Sequence, residues 1–283
     1  MAKYGEENFY LSFSGGKDST ILHYLLDEAS PGNSIPRVYC DTGIEYDAIK
    51  DFVAMLQKDD SRFITIKPMI TIKAMLERDG YPFKSKEHSN IVKVYQRSGM
   101  VKSVRKYLGK EESNRMNVCP KCLEYQFSKD FKLKVSDRCC LRMKKQPFHE
   151  YEKKSGRKIA ITGMRKEEGG QRASALSNGC TLTDRDGNLM KFHPLAVVDD
   201  AFEEWYIKER KIRICDLYHT PYSFKRTGCK GCPYALDLQD NLERMARLMP
   251  NERAQCEAIW KPVYDEYRRI GYRLSKQEQI KLF

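Results

Sequence analysis

The hydrophobic positions in the N-terminal part of the chain predict short strands that alternate with helices. Aromatic and aliphatic residues are concentrated in 8–13, 37–40 and 62–66, and each run has the length of a strand. Apolar residues at helical spacing occupy 21–26 and 44–56, between these runs. Strands that alternate with helices usually pair in parallel, because each helix crosses over to the next strand. We therefore predict an α/β fold built on a parallel sheet.

Beyond the third predicted strand the pattern changes to a long helical and basic stretch, 68–154, before it returns to the sheet. The later predicted elements are strands at 158–161 and 190–192, a helix at 197–207, and a helical C-terminus over 236–272 with an interruption near Pro250. The simplest division is one α/β domain over 1–235, with a helical, cysteine-bearing insertion, and a C-terminal helical extension over 236–283.

The composition predicts a folded, water-soluble protein with an anionic partner. The 283 residues are 41% hydrophobic and 32% charged, with a mean hydropathy of −0.67. We expect a cytoplasmic location, because the sequence shows neither a signal-peptide pattern nor an apolar run of membrane-spanning length. The net charge of +12 suits a nucleotide, a nucleic acid or an acidic protein. A solvated basic surface without a specific partner is the alternative.

A glycine-containing loop joins the first predicted strand to the first predicted helix. Its residues are Ser14, Gly15, Gly16, Lys17, Asp18, Ser19 and Thr20. Glycines allow the backbone to approach phosphates closely, and amide groups at the start of the helix would point at the anion. Lys17 adds a positive charge, and the hydroxyl groups add hydrogen-bond donors. Asp18 would hold a Mg²⁺ ion that bridges the phosphates, or act as the negative charge that favours a helix start.

This loop resembles the PP-loop of N-type ATP pyrophosphatases, which cleave ATP between its α and β phosphates. It matches neither the Walker loop nor the dinucleotide-binding fingerprint. The resemblance implies an adenine nucleotide alpha hydrolase-like domain in which residues 14–20 bind ATP or an adenylyl sulfate together with Mg²⁺. It also implies that Lys17 and Asp18 take part in catalysis. The alternative is an ordinary Gly-Gly turn before a capped helix.

Two later segments resemble the phosphoadenylyl-sulfate (PAPS/APS) reductase branch of the PP-loop family. Asp41-Thr42-Gly43 follows the second predicted strand, and Thr162-Gly163-Met164-Arg165 follows the strand at 158–161, with Arg172 further on. Open α/β sheets bind ligands at such carboxyl ends of strands. The resemblance implies that Asp41, Thr42, Gly43, Gly163, Arg165 and Arg172 lie by the nucleotide, and that Arg165 neutralises phosphate charge in catalysis. An Asx turn at Asp41 and a basic surface turn at Arg165 are the alternatives.

Four of the ten cysteines form two pairs, Cys139-Cys140 and Cys229-Lys230-Gly231-Cys232. Four thiolates suit a 4Fe-4S cluster or a zinc ion, although adjacent cysteines splay apart and fit zinc poorly. The arrangement resembles the 4Fe-4S ligand set of adenylyl-sulfate reductases and of related DNA phosphorothioation enzymes. That resemblance implies that Cys139, Cys140, Cys229 and Cys232 bind an iron–sulfur cluster. The alternative is four buried residues without a metal.

The remaining cysteines carry weaker signals. Cys119 and Cys122 form a second Cys-x-x-Cys, for which a zinc half-site, a redox pair and an accessory structural role all stay open. Cys40, Cys215 and Cys256 lie in apolar contexts and are predicted to be core residues.

The family resemblance covers about 8–234, but one part of the sulfonucleotide reductases is missing. Those enzymes carry a nucleophilic cysteine on a mobile C-terminal tail, whereas 271–283 has no cysteine and Cys256 falls in a predicted helix. We therefore expect an ATP pyrophosphatase that adenylates an acceptor, such as DNA or RNA, for sulfur transfer from a sulfur-donor protein.

Two other functions stay open at the level of the sequence. One is a sulfonucleotide reductase that releases sulfite, and the other is a nucleic-acid-binding accessory protein that retains a nucleotide pocket and a structural metal. The sequence does not specify the acceptor, the sulfur donor or whether the protein forms a homo-oligomer.

Overall fold

The computed structural model describes residues 3–112, 117–168, 173–174, 176–177 and 179–276, and its strands form one sheet. The strands are β1 (Phe9–Phe13), β2 (Arg37–Cys40), β3 (Phe63–Ile66), β4 (Ile159–Ile161), β5 (Thr181–Thr183) and β6 (Leu189–Phe192). Their order across the sheet is β3-β2-β1-β4-β6-β5. Every neighbouring pair is parallel except β5 and β6, which are antiparallel. The predicted α/β fold with a mainly parallel sheet is confirmed.

The helices fall between and after these strands. They are α1 (Lys17–Ala29), α2 (Asp47–Asp59), α3 (Ile72–Asp79), α4 (Lys86–Ser98), α5 (Lys102–Tyr107), α6 (Gln146–Ser155), α7 (Asp200–Glu209), α8 (Leu238–Leu248) and α9 (Pro250–Ile270). A π-helical turn, Leu141–Lys145, leads into α6. None of the helices in the described ranges combines the length and the apolar character that a membrane span requires.

The chain contacts divide the protein into two units. The sheet unit comprises Met1–Pro68 and Gln146–Thr227, and the helical unit comprises Met69–Lys145 and Gly228–Phe283. The sheet unit contains all six of these strands, whereas the predicted insertion and the C-terminal extension both belong to the helical unit.

The order of the strands fixes where the sheet unit can bind a ligand. From β1 the chain continues to β2 and β3 on one side, and later to β4 and β6 on the other. The crevice at the carboxyl ends of β1 and β4 is therefore the point where the strand order reverses, which is the usual ligand site of open α/β sheets. β1 is held in the core, with Phe9 and Leu11 almost fully buried.

Two differences from the sequence prediction, a shifted helix start and an additional strand, have local causes. The helix predicted over 197–207 begins only at Asp200, because Pro194–Val197 forms a short 3-10 turn and Asp199 caps the helix by accepting from the amide of Phe202. The strand β5 was not predicted, since its three residues are all exposed and lack a buried face. The interruption at Pro250 is confirmed, with the proline at the first position of α9.

Candidate functional site

The predicted phosphate loop turns sharply between β1 and α1. Gly15 has a φ of +72°, and a Cβ atom there would lie 2.8 Å from Cγ2 of Ile49, so both backbone and packing require glycine. The carbonyl of Gly16 accepts from the hydroxyl groups of Ser19 at 2.9 Å and Thr20 at 3.0 Å. The exposed Ser14 also takes part, because its hydroxyl accepts from the amide of Gly16 at 3.2 Å and contacts the hydroxyl of Ser19 at 3.0 Å. These three hydroxyls therefore shape the loop.

The first amide of α1 is held by a residue from much later in the chain. The amide of Lys17 donates to the hydroxyl of Tyr218 at 3.0 Å, and this hydroxyl also contacts the hydroxyl of Thr227 at 2.6 Å. Burial raises the pKa of Tyr218 to about 12, so the group stays a neutral phenol. The sequence contained no signal for Tyr218, because no spacing rule links it to the loop.

Arg165 reaches the same loop from the end of β4. Gly163 allows this approach, because a Cβ atom at that position would lie 3.0 Å from the carbonyl carbon of Asp18. The nearly buried guanidinium of Arg165 lies 3.3 Å from the carboxylate of Asp18 and 2.7 Å from that of Asp200. The structure thus brings together Lys17, Asp18, Gly163 and Arg165, four of the residues that the sequence analysis assigned to the nucleotide site.

A buried acid, Glu203 of α7, lies between the two cations of this site. Its carboxylate is 2.7 Å from Nζ of Lys17 and 3.2 Å from Nε of Arg165, and none of its side chain is exposed. Burial raises the pKa of Glu203 to about 7, and the neighbouring Asp18 raises it further, whereas Lys17 opposes the shift. Sequence reasoning missed Glu203, which is one of several acidic residues on an amphipathic helix.

The segment after β2 forms a tight turn. The amide of Gly43 donates to Asp41 at 3.0 Å, and the amide and hydroxyl of Thr42 donate to the buried Glu45 at 2.9 and 2.6 Å. The Asx turn considered for Asp41 is present, and it lies at the carboxyl end of the strand next to β1. Arg172, the last predicted member of the nucleotide site, lies outside the described residues.

The four predicted cluster cysteines come together within the helical unit. Burial raises the pKa of the Cys139 thiol, and Cys229, Cys140 and Cys232 raise it further. Burial likewise raises the pKa of Cys232 to about 12, with contributions from Cys229 and Cys140. Such mutual effects require the thiol groups to be close neighbours. Bound iron would reverse these shifts, because a cation stabilises the thiolates.

The cysteine sulfur atoms are not drawn together as a single zinc ion would hold them. Within the described ranges, the group whose ligand atoms all lie within 4.8 Å of one another is His23, Asp27 and Asp60, and it contains no cysteine. Zinc would bring four sulfur atoms to about 3.8 Å from one another, whereas a cluster of four iron atoms holds its thiolates further apart. Arg37 and Arg62 already neutralise the Asp27 carboxylate in the histidine group.

Helix α9 holds the loop between Cys229 and Pro233 through three buried aromatic donors. Trp260 donates its indole N–H to the carbonyl of Lys230 at 3.2 Å, Tyr264 donates to the carbonyl of Gly231, and Tyr267 donates to that of Pro233 at 2.9 Å. These positions fall on one face of the helix, at spacings of four and three residues. With its carbonyls bound to α9, the loop is fixed independently of any metal.

The other cysteines agree with the expectation of core residues. Cys40, Cys215 and Cys256 are buried, and burial raises the pKa of Cys256 to about 12. All ten cysteines lie in the described part of the chain, and none forms a disulfide. Cys119 is buried while Cys122 is exposed, so the second Cys-x-x-Cys presents only one accessible thiol.

The fold and the loop after β1 define this protein as an α/β protein of the PP-loop class. A family model described as the phosphoadenosine phosphosulfate reductase domain matches residues 8–113 and 112–235. The chain therefore belongs to the phosphoadenosine phosphosulfate reductase domain family. No curated protein sequence matches the chain.

Two solved structures are similar to this chain at low sequence identity. Phosphoadenylyl-sulfate (PAPS) reductase from Candida auris, in a phosphate complex, is 14% identical, with 79% of this chain and 81% of that chain covered and a TM-score of 0.47. The U34-tRNA thiolase NcsA from Methanococcus maripaludis, with its 4Fe-4S cluster, is 12% identical, with 93% and 71% covered and a TM-score of 0.37.

Proposed function

We propose that this protein is a PP-loop enzyme that cleaves ATP to AMP and pyrophosphate in order to activate an acceptor for sulfur transfer. An acceptor oxygen attacks the α-phosphorus, the bond to the bridging oxygen breaks, and pyrophosphate leaves. A sulfur nucleophile then displaces AMP from the adenylated acceptor. A DNA or RNA acceptor and a sulfur-donor protein fit the basic character of the chain.

The observation that carries this proposal is the convergence of Lys17 and Arg165 on the loop at the reversal point of the sheet. Both cations lie against the carboxyl group of Glu203, so the space between them accommodates an acidic group. A phosphate group would find a positive charge on either side and the amides of the first turn of α1 in front. Mg²⁺ bound through Asp18 would complete charge neutralisation, as the resemblance to PP-loop enzymes implies.

The cysteine site supports the sulfur-transfer half of the proposal. Cys139, Cys140, Cys229 and Cys232 would hold a 4Fe-4S cluster, because they offer four thiols, and Cys229 and Cys232 lie on the loop that α9 fixes. When bound, such a cluster would supply an iron that holds and polarises the transferred sulfur.

Sulfonucleotide reduction is the second candidate, because the matching family is described by that activity. That reaction needs an accessible thiolate to attack the sulfur of an adenylyl sulfate. Cys256 is fully buried and its pKa is raised to about 12, which makes it a poor nucleophile. Cys122 is exposed and is the thiol that this reaction would use instead. We favour ATP cleavage over reduction, because Lys17 and Arg165 already flank the phosphate loop, as ATP cleavage requires.

The test is anaerobic purification, iron analysis and measurement of pyrophosphate release from ATP, with and without DNA or RNA. We expect bound iron, pyrophosphate release, and a loss of about 100-fold or more in the rate for Lys17→Ala. Lys58→Ala, which removes an exposed lysine at the end of α2, is the matched control and should keep the rate.

Three outcomes would contradict the proposal. Sulfite release that disappears in Cys256→Ser would identify a reductase. Nucleic-acid binding without any pyrophosphate release, unaffected by Lys17→Ala, would identify an accessory protein. Zinc in place of iron would reject the cluster while leaving the nucleotide site to be judged by pyrophosphate release alone.

A further inference from the structure

The positive charge of the chain is concentrated in one stretch of the helical unit. Residues 69–145 contain 19 Lys and Arg but only 8 Asp and Glu, an excess of 11 charges out of the net +12 of the chain. The sheet unit contains 22 Lys and Arg and 23 Asp and Glu, so it is nearly neutral. The excess positive charge therefore lies in the helical unit and not in the sheet unit, which holds the phosphate loop. If the charge attracts an anionic partner, that partner binds the helical unit.

A segment of turns and bends, 128–138, carries four of these cations and is fixed against its neighbours. Tyr81 pairs with Val135 in a parallel bridge. The side chain of Gln96, in α4, donates to the carbonyl of Leu133 at 2.7 Å and accepts from the amide of Val135 at 3.1 Å. Hydrogen bonds to Gln96 thus hold the segment against α4.

Two lysines of this segment lie on either side of a bend at Leu133. Lys132 and Lys134 are exposed, whereas Leu133 is half-buried and Val135 is buried. The two lysines are therefore accessible to a partner, while Val135 anchors the segment in the protein.

Four further cations extend this pair into one surface. Nζ of Lys134 donates to the carbonyl of Arg78, and Arg97 follows Gln96, whose side chain binds the segment. We call the exposed set the basic surface; its members are Arg78, Arg97, Lys129, Lys132, Lys134 and Arg138. Arg78 pairs with Asp79. Within the described ranges, the charged groups of the other five have no carboxylate within 4.0 Å, so their charge is available to a partner.

We propose that the basic surface binds the phosphate backbone of a nucleic acid. Five cations without a carboxylate partner, four of them on a segment fixed by hydrogen bonds, suit the dense negative charge of a polyanion. A protein partner is less suited, because protein interfaces have an apolar centre and none of the exposed large hydrophobic residues falls within 128–138. Arg138 immediately precedes Cys139, so a bound strand would be anchored next to the cysteine site.

This inference deepens the proposed function by assigning the acceptor class to a surface, and its link to sulfur transfer rests on that function. The binding itself does not depend on ATP cleavage. It is tested with the full chain and fluorescently labelled DNA and RNA oligonucleotides of mixed sequence, by anisotropy over a range of salt concentrations. The test variant is Lys132→Glu/Lys134→Glu, and the control is Lys153→Glu/Lys154→Glu, which reverses two adjacent exposed lysines of α6 in the sheet unit.

We expect the test variant to lose about tenfold or more in affinity, and its plot of log affinity against log salt to flatten by about 2. The control should stay within about twofold of wild type. ATP binding and the thermal midpoint should be unchanged in both variants, and Lys17→Ala should bind nucleic acid normally. Wild-type protein that binds nucleic acid but releases no pyrophosphate from ATP would therefore count against the proposed function only.

Two results would contradict the proposal that the basic surface binds nucleic acid. One is an equal affinity of the test variant and wild type for every oligonucleotide. The other is binding of polyglutamate as tight as that of nucleic acid and equally weakened by the two substitutions, which would assign the surface to an acidic protein.

Discussion

Gly231 combines a backbone requirement with a packing requirement in the cysteine loop. Its φ is +62°, and a Cβ atom there would lie 2.5 Å from the hydroxyl of Tyr264 and 2.7 Å from the sulfur of Cys256. We predict that Gly231→Ala lowers the free energy of unfolding by about 3 kcal/mol, from the strained φ and from overpacking together. Chemical denaturation measures this change.

Gly156→Ala is the matched control for this substitution. Gly156 has a φ of +75°, but a Cβ atom there would meet no other atom within 4 Å, so the substitution isolates the backbone contribution. We expect a loss of about 1 kcal/mol there. Equal losses at the two positions would show that α9 does not constrain the loop through this contact.

Glu203 gives the nucleotide site a defined dependence on pH. Its pKa is raised from 4.5 to about 7 in the folded protein, mainly by burial, so the folded state holds a proton that the unfolded state releases. The contribution of Glu203 to the free energy of unfolding is therefore fully present below pH 4.5 and is lost as the pH rises through 7. We predict that the unfolding free energy of wild type falls between pH 5.5 and 8 relative to that of Glu203→Gln.

The comparison with the glutamine variant cancels the histidines, which are present in both proteins. Burial lowers the pKa of His23 and of His88 to about 4, so these residues affect stability mainly below pH 6.5. If the unfolding free energies of wild type and Glu203→Gln changed equally with pH, the raised pKa of Glu203 would be contradicted.

At the scale of elements, α9 acts as the support of the cysteine loop. Replacing Tyr267 with Phe removes the donor to the buried carbonyl of Pro233 and the acceptor of the Lys84 amide at 2.7 Å, while it retains the ring that packs on Phe83 at 4.5 Å. We predict that Tyr267→Phe costs about 1–2 kcal/mol of stability and lowers the iron bound per chain after anaerobic reconstitution. The iron content distinguishes a positioning role from a purely structural one.

Tyr222→Phe serves as the control, because this half-buried tyrosine lies in the sheet unit. This substitution should change neither the free energy of unfolding nor the iron bound per chain. If Tyr267→Phe loses stability but binds iron fully, the hydrogen bond stabilises the core without positioning the cysteines.

At the scale of the whole molecule, the two candidate sites belong to different units. The phosphate loop lies in the sheet unit, and the four cysteines lie in the helical unit. We predict that oxidative removal of bound metal with a chelator increases amide hydrogen exchange in 228–234 and in α9, and leaves β1 and β4 protected. Exchange that rises equally in both units, or in neither, would contradict this local coupling.

The sequence by itself determined the order of the main elements and the chemistry at their ends. Hydrophobic runs located β1, β2, β3 and β4 to within a residue, because buried strands need continuous apolar side chains. The phosphate loop and Arg165 were found because loops at strand ends carry recognisable residue patterns. The sequence did not predict the strand β5, because its three residues are exposed and do not form an apolar run.

Only the tertiary structure decided which distant groups complete each site. Glu203 and Tyr218 contact the phosphate loop from helical turns about 200 residues further along the chain, as the separation of 201 between Lys17 and Tyr218 shows. The pairing of α9 with the cysteine loop, and the alignment of 128–138 along α4, are likewise contacts between separate segments. Local patterns reflect the periodicity of one element, whereas these contacts depend on how elements pack, which no single stretch of sequence encodes.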